Sequence, residues 1–283
     1  MKLAFSTLGC PAWNIETVAE AVVRYGYDAV EWRVVDGSIL SPETPEHTLH
    51  RLVTLTREYH LSVAALDTSC QFVQADAAAR ERTVRDAQVM ADLAATLGAP
   101  YLRVFGGNLA PGVSLAEALL PAAEAFARAS THASSIGVRL LLETHDNVWS
   151  SSANALRFVQ AAGVPEHAIL WDLYHTCRAG EAPEQTLDQL GSALAYVHFK
   201  DARTSAARGW ELVPPGEGTL PLARTIHLLK RRGYTGFLSF EWEKLWHPHL
   251  AEPEMVLPQA STLVRRCLQE KAEDSSVAFE EGI

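Results

Sequence analysis

Short apolar runs alternate with longer amphipathic stretches along the whole chain. The apolar runs fall at 2–6 (KLAFS), 28–34 (DAVEWRV), 61–67 (LSVAALD), 100–106 (PYLRVFG), 138–144 (VRLLLET), 168–173 (AILWDL), 194–200 (LAYVHFK) and 236–242 (GFLSFEW). Each is nearly continuous in apolar residues, as expected of a strand buried on both faces of a parallel sheet. Between them the pattern predicts helices near 14–26, 43–60, 76–98, 114–136, 152–162, 182–192, 219–232 and 257–270. Asn14 is a candidate N-cap, and Gly26, Gly98 and Gly137 are stop signals. Strict alternation of eight strands with eight helices predicts an α/β chain folded as a single (β/α)8 TIM barrel over residues 1–270. A doubly wound open sheet would want a glycine-rich turn after the first strand, and TLGCPAW supplies one glycine.

Composition narrows the picture. The chain has 283 residues, 48% hydrophobic and 20% charged, which is enough to bury a core without disulfide or metal staples. Lys and Arg number 24 against 34 Asp and Glu, a formal net charge of −10. Such a surface does not draw in nucleic acid or an anionic membrane by its long-range field. No run approaches the roughly 18 apolar residues of a membrane span. Cys10, Cys70, Cys177 and Cys267 are scattered without a CxxC pair, so neither a zinc knuckle nor a redox pair is indicated. Scattered thiols suit a reducing, cytoplasmic setting. The N-terminal apolar run is too short for a signal peptide and reads as the first strand. Residues 271–283 (KAEDSSVAFEEGI) are polar and acidic, and are expected to form a frayed tail.

The chemistry lies at the strand ends, where barrels of this kind carry their active sites. Glu143 follows LLL, Asp172 follows AILW, His198 follows AYV and Glu241 follows LSF. A single acid in such a place is often only a helix cap. Four in successive strands, each straight after an apolar run, predict a metal centre. Carboxylates gathered in a partly buried site repel unless a cation neutralises them. One divalent ion (Mn2+, Mg2+, Co2+ or Zn2+) suits three oxygens and one imidazole nitrogen.

With these residues in place, the chain resembles the sugar isomerase and epimerase superfamily of xylose isomerase-like barrels. The resemblance covers about residues 1–270. It is carried by LLLETHD (140–146), WDLYH (171–175), VHFKD (197–201), PPGEG (214–218) and LSFEWE (238–243). It implies that Glu143, Asp172, His198 and Glu241 ligate the metal, that Glu143 and Glu241 also act as acid and base, and that His175 meets substrate. It also points to Arg203, although its spacing from the strand-seven histidine differs by one residue from the epimerase pattern. The family's ketose 3-epimerases place a second glutamate where this chain has Trp149, which sets it apart from that sugar specificity. Endonuclease IV, a three-zinc relative, has extra ligands where Trp210 and Leu212 stand here. HFKD (198–201) is similar to what inosose dehydratases carry, so a lyase is the leading alternative.

Other residues have weaker claims. His145 and Lys200 are candidate substrate contacts, and Lys200 is equally suited to pair with Asp201 or Glu241. Glu31, Arg33 and Arg103 either reach the mouth or form a buried ion-pair network. His247 and His249 read as a solvated loop rather than a second metal site. Trp13, Trp149, Trp171, Trp242 and Trp246 fall near strand ends, where aromatic faces suit sugars but also ordinary packing. The sequence therefore predicts a metal-dependent isomerase or epimerase of a small sugar, ketose or polyol-derived keto-sugar, working by proton transfer through an enediolate. A non-catalytic sugar-binding barrel is the rival from another class. Its partner is a small sugar or polyol, with no nucleic acid and no membrane; a homo-oligomer is compatible with the sequence.

Overall fold

A computed structural model of the protein describes residues 1–164, 166–205 and 209–270, so the acidic tail expected at 271–283 lies outside the described residues. Eight parallel strands close into a barrel: β1 (Lys2–Ser6), β2 (Ala29–Trp32), β3 (Val63–Gln71), β4 (Tyr101–Phe105), β5 (Arg139–Glu143), β6 (Ile169–Asp172), β7 (Leu194–Phe199) and β8 (Phe237–Phe240). Neighbours follow chain order around the ring and β8 pairs with β1. The expected TIM barrel is thus the observed fold.

The helices are α1 (Ile15–Arg24), α2 (Glu46–Glu58), α3 (Ala77–Leu97), α4 (Leu115–Ser135), α5 (Asp146–Trp149), α6 (Ser152–Ala161), α7 (Leu173–Arg178), α8 (Pro183–Leu190), α9 (Leu222–Arg231) and α10 (Pro253–Gln269). Asn14 caps α1, its Oδ1 accepting from Thr17 N–H at 2.9 Å. Gly98 ends α3 in the left-handed conformation, which glycine adopts readily because it has no Cβ. Two differences from the sequence reading matter for the site. The short helices α5 and α7, directly after β5 and β6, were not expected. Helix α10 starts at Pro253, earlier than 257, because proline suits the first helical turn where its missing N–H costs nothing.

Side chains alternate in and out along a strand, so residues two apart share a side. The inward row begins with a small apolar plug that includes Ala29, Ala65, Leu141, Leu170, Tyr196 and Phe237, with Tyr101 packed against it. Two residues further along the same strands stand Glu31, Asp67, Arg103, Glu143, Asp172, His198 and Ser239, all buried. The polar site therefore rests on an apolar floor inside the barrel. The larger core fills the space between strands and helices. All four cysteines are unpaired, and no helix of the described residues is long and apolar enough to cross a membrane.

Candidate metal centre and substrate cleft

Four adjacent strands deliver the predicted donors. Asp172 on β6 lies beside His198 on β7 in register, and Glu241 follows β8 with its N–H donating to Phe199 O at 3.0 Å. Ligand atoms of Glu143, Asp172, His198 and Glu241 all lie within 4.8 Å of one another, and all four residues are buried. Glu143 Oε2 and Asp172 Oδ2 accept no hydrogen bond despite burial. Their nearest ionic neighbours are Arg103 Nε at 3.3 Å and Lys200 Nζ at 2.7 Å. Such carboxylate oxygens, with one imidazole nitrogen beside them, suit a divalent cation.

Asp172 shows why the helix-cap reading and the ligand reading coexist. It is the N-cap of α7, where Oδ1 accepts from Tyr174 N–H at 2.8 Å. That leaves Oδ2 turned to the ring of donors. Its own backbone N–H is held by Thr144 Oγ1 at 2.8 Å.

His198 is fixed from behind. Its Nε2 lies 3.0 Å from Glu31 Oε2, while Nδ1 faces Glu143 Oε1 at 3.3 Å and Glu241 Oε2 at 3.6 Å. A carboxylate behind a histidine sets the tautomer and aims the other nitrogen at a metal. Tyr196 O–H donates to the same Glu31 oxygen at 2.6 Å. Glu31→Gln is therefore expected to weaken metal affinity by roughly 10- to 100-fold. Titration of chelator-treated protein with the metal checks this, and an unchanged affinity would remove Glu31 from the support of His198.

Among the described residues, Glu31, Asp67, Glu143, Asp172 and Glu241 outnumber the buried cations Arg33, Arg103 and Lys200. Charge is rearranged accordingly. Burial pushes the His198 imidazole down, but Glu31 and Glu241 outweigh it and hold His198 well above its ordinary value. Burial raises the Asp172 carboxyl to about 6 against the pull of Lys200. Burial would raise Glu143 and Glu241 too, yet Arg103 lowers the first and Lys200 lowers the second. Burial holds Asp67 well above the carboxylate range although Arg103 opposes it.

The remaining predicted residues separate. Lys200 is fully buried and contacts Asp172, Glu241 and Glu243, the last at 3.0 Å. Its three N–H donors thus face three carboxylates, so of the pairings expected from the sequence the one with Glu241 is present. Asp201 takes no part in that pairing. Its carboxylate accepts from Gly216 and Gly218 N–H at 2.8 and 3.1 Å and holds the PPGEG turn. A Cβ on Gly218 would meet Asp201 Oδ1 at 2.0 Å, which explains that glycine. Arg203 stands on the strand 201–205, which pairs antiparallel with 209–213, with half its side chain exposed, 3.8 Å from Glu211. Of the strand-two and strand-four residues, Arg103 does both things expected of it. It joins the network through Asp67 at 3.3 Å and reaches Glu143. Arg33 donates to Ser69 Oγ at 2.8 Å.

Above the donors opens a cleft of about 650 Å3 lined by His145, Tyr174, His175, Arg178, Trp210, Glu211, Leu212, Glu243, His247, His249 and Leu250. The His145 and His175 rings lie tilted at 57° with centres 4.1 Å apart, and His175 Nε2 lies 3.9 Å from Asp172 Oδ2. Burial, then His145, push the His175 imidazole well below its ordinary value, so it is neutral. His247 and His249 lie on the exposed loop expected of them, and that loop forms part of this wall. Trp149, Trp171 and Trp242 are packing residues: each is buried with its indole N–H bonded within the protein. Gly106 has no side chain because a Cβ would meet Trp149 at 2.3 Å. The tryptophan in the cleft is Trp210. The sequence reading missed Asp67, although it ends an apolar run just as Glu143 does. It also missed Glu243, two residues past Glu241, which meets Lys200.

Residues 19–267 match the family model of xylose isomerase-like TIM barrels, and the chain belongs to that family. It is 31% identical over 173 residues to a putative hydroxypyruvate isomerase of Streptomyces coelicolor, covering 58% of this chain and 60% of that relative, under two thirds of its length. It is 23% identical to the inosose isomerase of Halalkalibacterium halodurans over 89% of this chain and 90% of that one. Among solved structures, it is similar in fold to the IolI protein with a bound zinc atom, at a TM-score of 0.73 and 21% identity over 95% and 96% of the two chains. It is likewise similar to an L-ribulose 3-epimerase, at 0.75 and 18% identity over 99% of both.

Proposed function

We propose that this chain is a divalent-metal-dependent isomerase or epimerase of a small sugar, ketose or polyol-derived keto-sugar. The convergence of Glu143, Asp172, His198 and Glu241 within 4.8 Å carries this reading. These four would hold one Mn2+, Mg2+, Co2+ or Zn2+ ion. When bound, the ion polarises a carbonyl and its neighbouring hydroxyl and so acidifies the C–H between them. The names of the relatives, a hydroxypyruvate isomerase and an inosose isomerase, support the reaction class. The four unpaired thiols support a cytoplasmic setting.

Glu143 and Glu241 move the proton. They sit on β5 and just past β8, three strands apart around the ring, so they reach a carbon from different sides. Both are held low, by Arg103 and Lys200 respectively, and are carboxylates at neutral pH, the form a base needs. His175, neutral and with Nε2 free of a hydrogen-bond partner, holds a substrate hydroxyl. Trp210 and Tyr174 present aromatic faces to sugar C–H surfaces.

Turnover of a ketose in D2O tests the proposal. Deuterium is expected at the reacting carbon of the product, read by NMR or mass spectrometry, with the carbon skeleton and all oxygens retained. A fully protiated carbon would point to hydride shift, and loss of water would make the enzyme a lyase.

A further inference from the structure

We propose that the far wall of the substrate cleft is a subsite for an anionic group, a phosphate or a carboxylate, carried on the substrate away from its reacting carbons. The proposal rests on the isomerase reading only for where those carbons sit. A second cleft, of about 430 Å3, shares His145, His175 and Arg178 with the first and adds Asn147 and Ser150. Every one of these side chains has an N–H or O–H to donate, and among the described side chains no carboxylate lines this space. The acids of the larger cleft, Glu211 and Glu243, belong to the part this second space does not share.

Arg178 has unused capacity there, beside the His175 that holds a substrate hydroxyl. Among the described residues no carboxylate pairs with the Arg178 guanidinium, whose neighbour is the Tyr174 ring at 5.2 Å. His175 is nine-tenths buried, and its Nε2 has no hydrogen-bond partner. Both are phased to the metal donors by one short helix. Asp172 caps α7, His175 is one turn on, and Arg178 ends the helix. A rise of about 1.5 Å per residue sets Arg178 roughly 9 Å along the axis from Asp172. A substrate spanning that distance has its reacting carbons at the donors and its charge at the far end. A planar guanidinium suits a bidentate grip on either anion.

The test uses the full-length, manganese-loaded protein with three substrates: a ketose, its terminal phosphate ester, and the matching keto acid with a terminal carboxylate. Inorganic phosphate and acetate are titrated by calorimetry in parallel. An anionic substrate is expected to exceed the neutral ketose in kcat/KM by about tenfold or more, mainly through KM, with phosphate binding measurably. Which of the two anionic substrates leads identifies the group. Arg178→Gln should shrink that preference by about tenfold to a hundredfold and abolish phosphate binding. Arg139→Gln, exposed at the opposite end of the barrel, should leave the preference intact. Equal kcat/KM for charged and neutral substrates, or a preference that survives Arg178→Gln, overturns the subsite. If none of the three is turned over, the isomerase reading fails, and phosphate binding alone then decides: Arg178-dependent binding upholds the subsite, and its absence overturns it.

Discussion

Glu241→Gln is expected to lose at least ~100-fold in rate while keeping its fold, the lower end of what a general base contributes. The amide retains the shape of the carboxylate and an oxygen for the metal, but it does not accept a proton at neutral pH. Lys200 keeps Asp172 and Glu243 as charged partners, so the buried ammonium is not stranded. Glu143→Gln is expected to behave likewise, since Arg103 still faces Asp67 at 3.3 Å. The decisive comparison is rate per metal-loaded chain, with metal content measured for each variant. Near-normal turnover of the true substrate by either loaded variant would end the two-glutamate mechanism. The paired design separates loss of a base from loss of the ion.

Chelator treatment should abolish turnover, and protein purified without chelator should carry close to one equivalent of metal per chain. His198→Ala should lose most of that metal, because it removes one of four donors and leaves the carboxylates under-neutralised. The metal-free site also predicts a pH dependence. Glu31 and Glu241 hold His198 protonated at neutral pH against the effect of burial, so binding must displace its proton. Burial brings the Asp172 carboxyl to about 6, so a second proton competes as pH falls through that value. Affinity should thus weaken as pH falls, by about tenfold per unit for each proton displaced. Calorimetry in buffers of different ionisation enthalpy counts those protons. Three tightly held zinc ions per chain, or full metal in His198→Ala, would contradict the mononuclear centre.

The barrel and the four candidate donors that it brings together were legible in the sequence because both depend on local signals. A strand buried on both faces must be apolar throughout, so a carboxylate or imidazole ending such a run stands out, as Glu143, Asp172 and His198 do. Period two along a strand then puts Leu141 and Glu143, or Tyr196 and His198, on one side without further information. The same rule would have found Asp67, had it been applied to every strand. Partner choice was not legible. Lys200 could have met substrate, Asp201 or Glu241, and only closure of the ring, which sets β6, β7 and β8 side by side, gives it three carboxylates. Arg203 is pointed to by the resemblance alone, and the antiparallel pairing of 201–205 with 209–213, which spacing along the chain does not give, sets it beside Glu211. The cleft joins His145, Arg178, Trp210 and His247, which share no period and come from four separate loops or short elements. Sequence by itself determined which residues are inside a strand and which end it, because burial of one segment constrains that segment alone. Tertiary structure decided which charges neutralise one another and what the mouth can grip, because electrostatic pairing depends on distances between residues far apart in the chain.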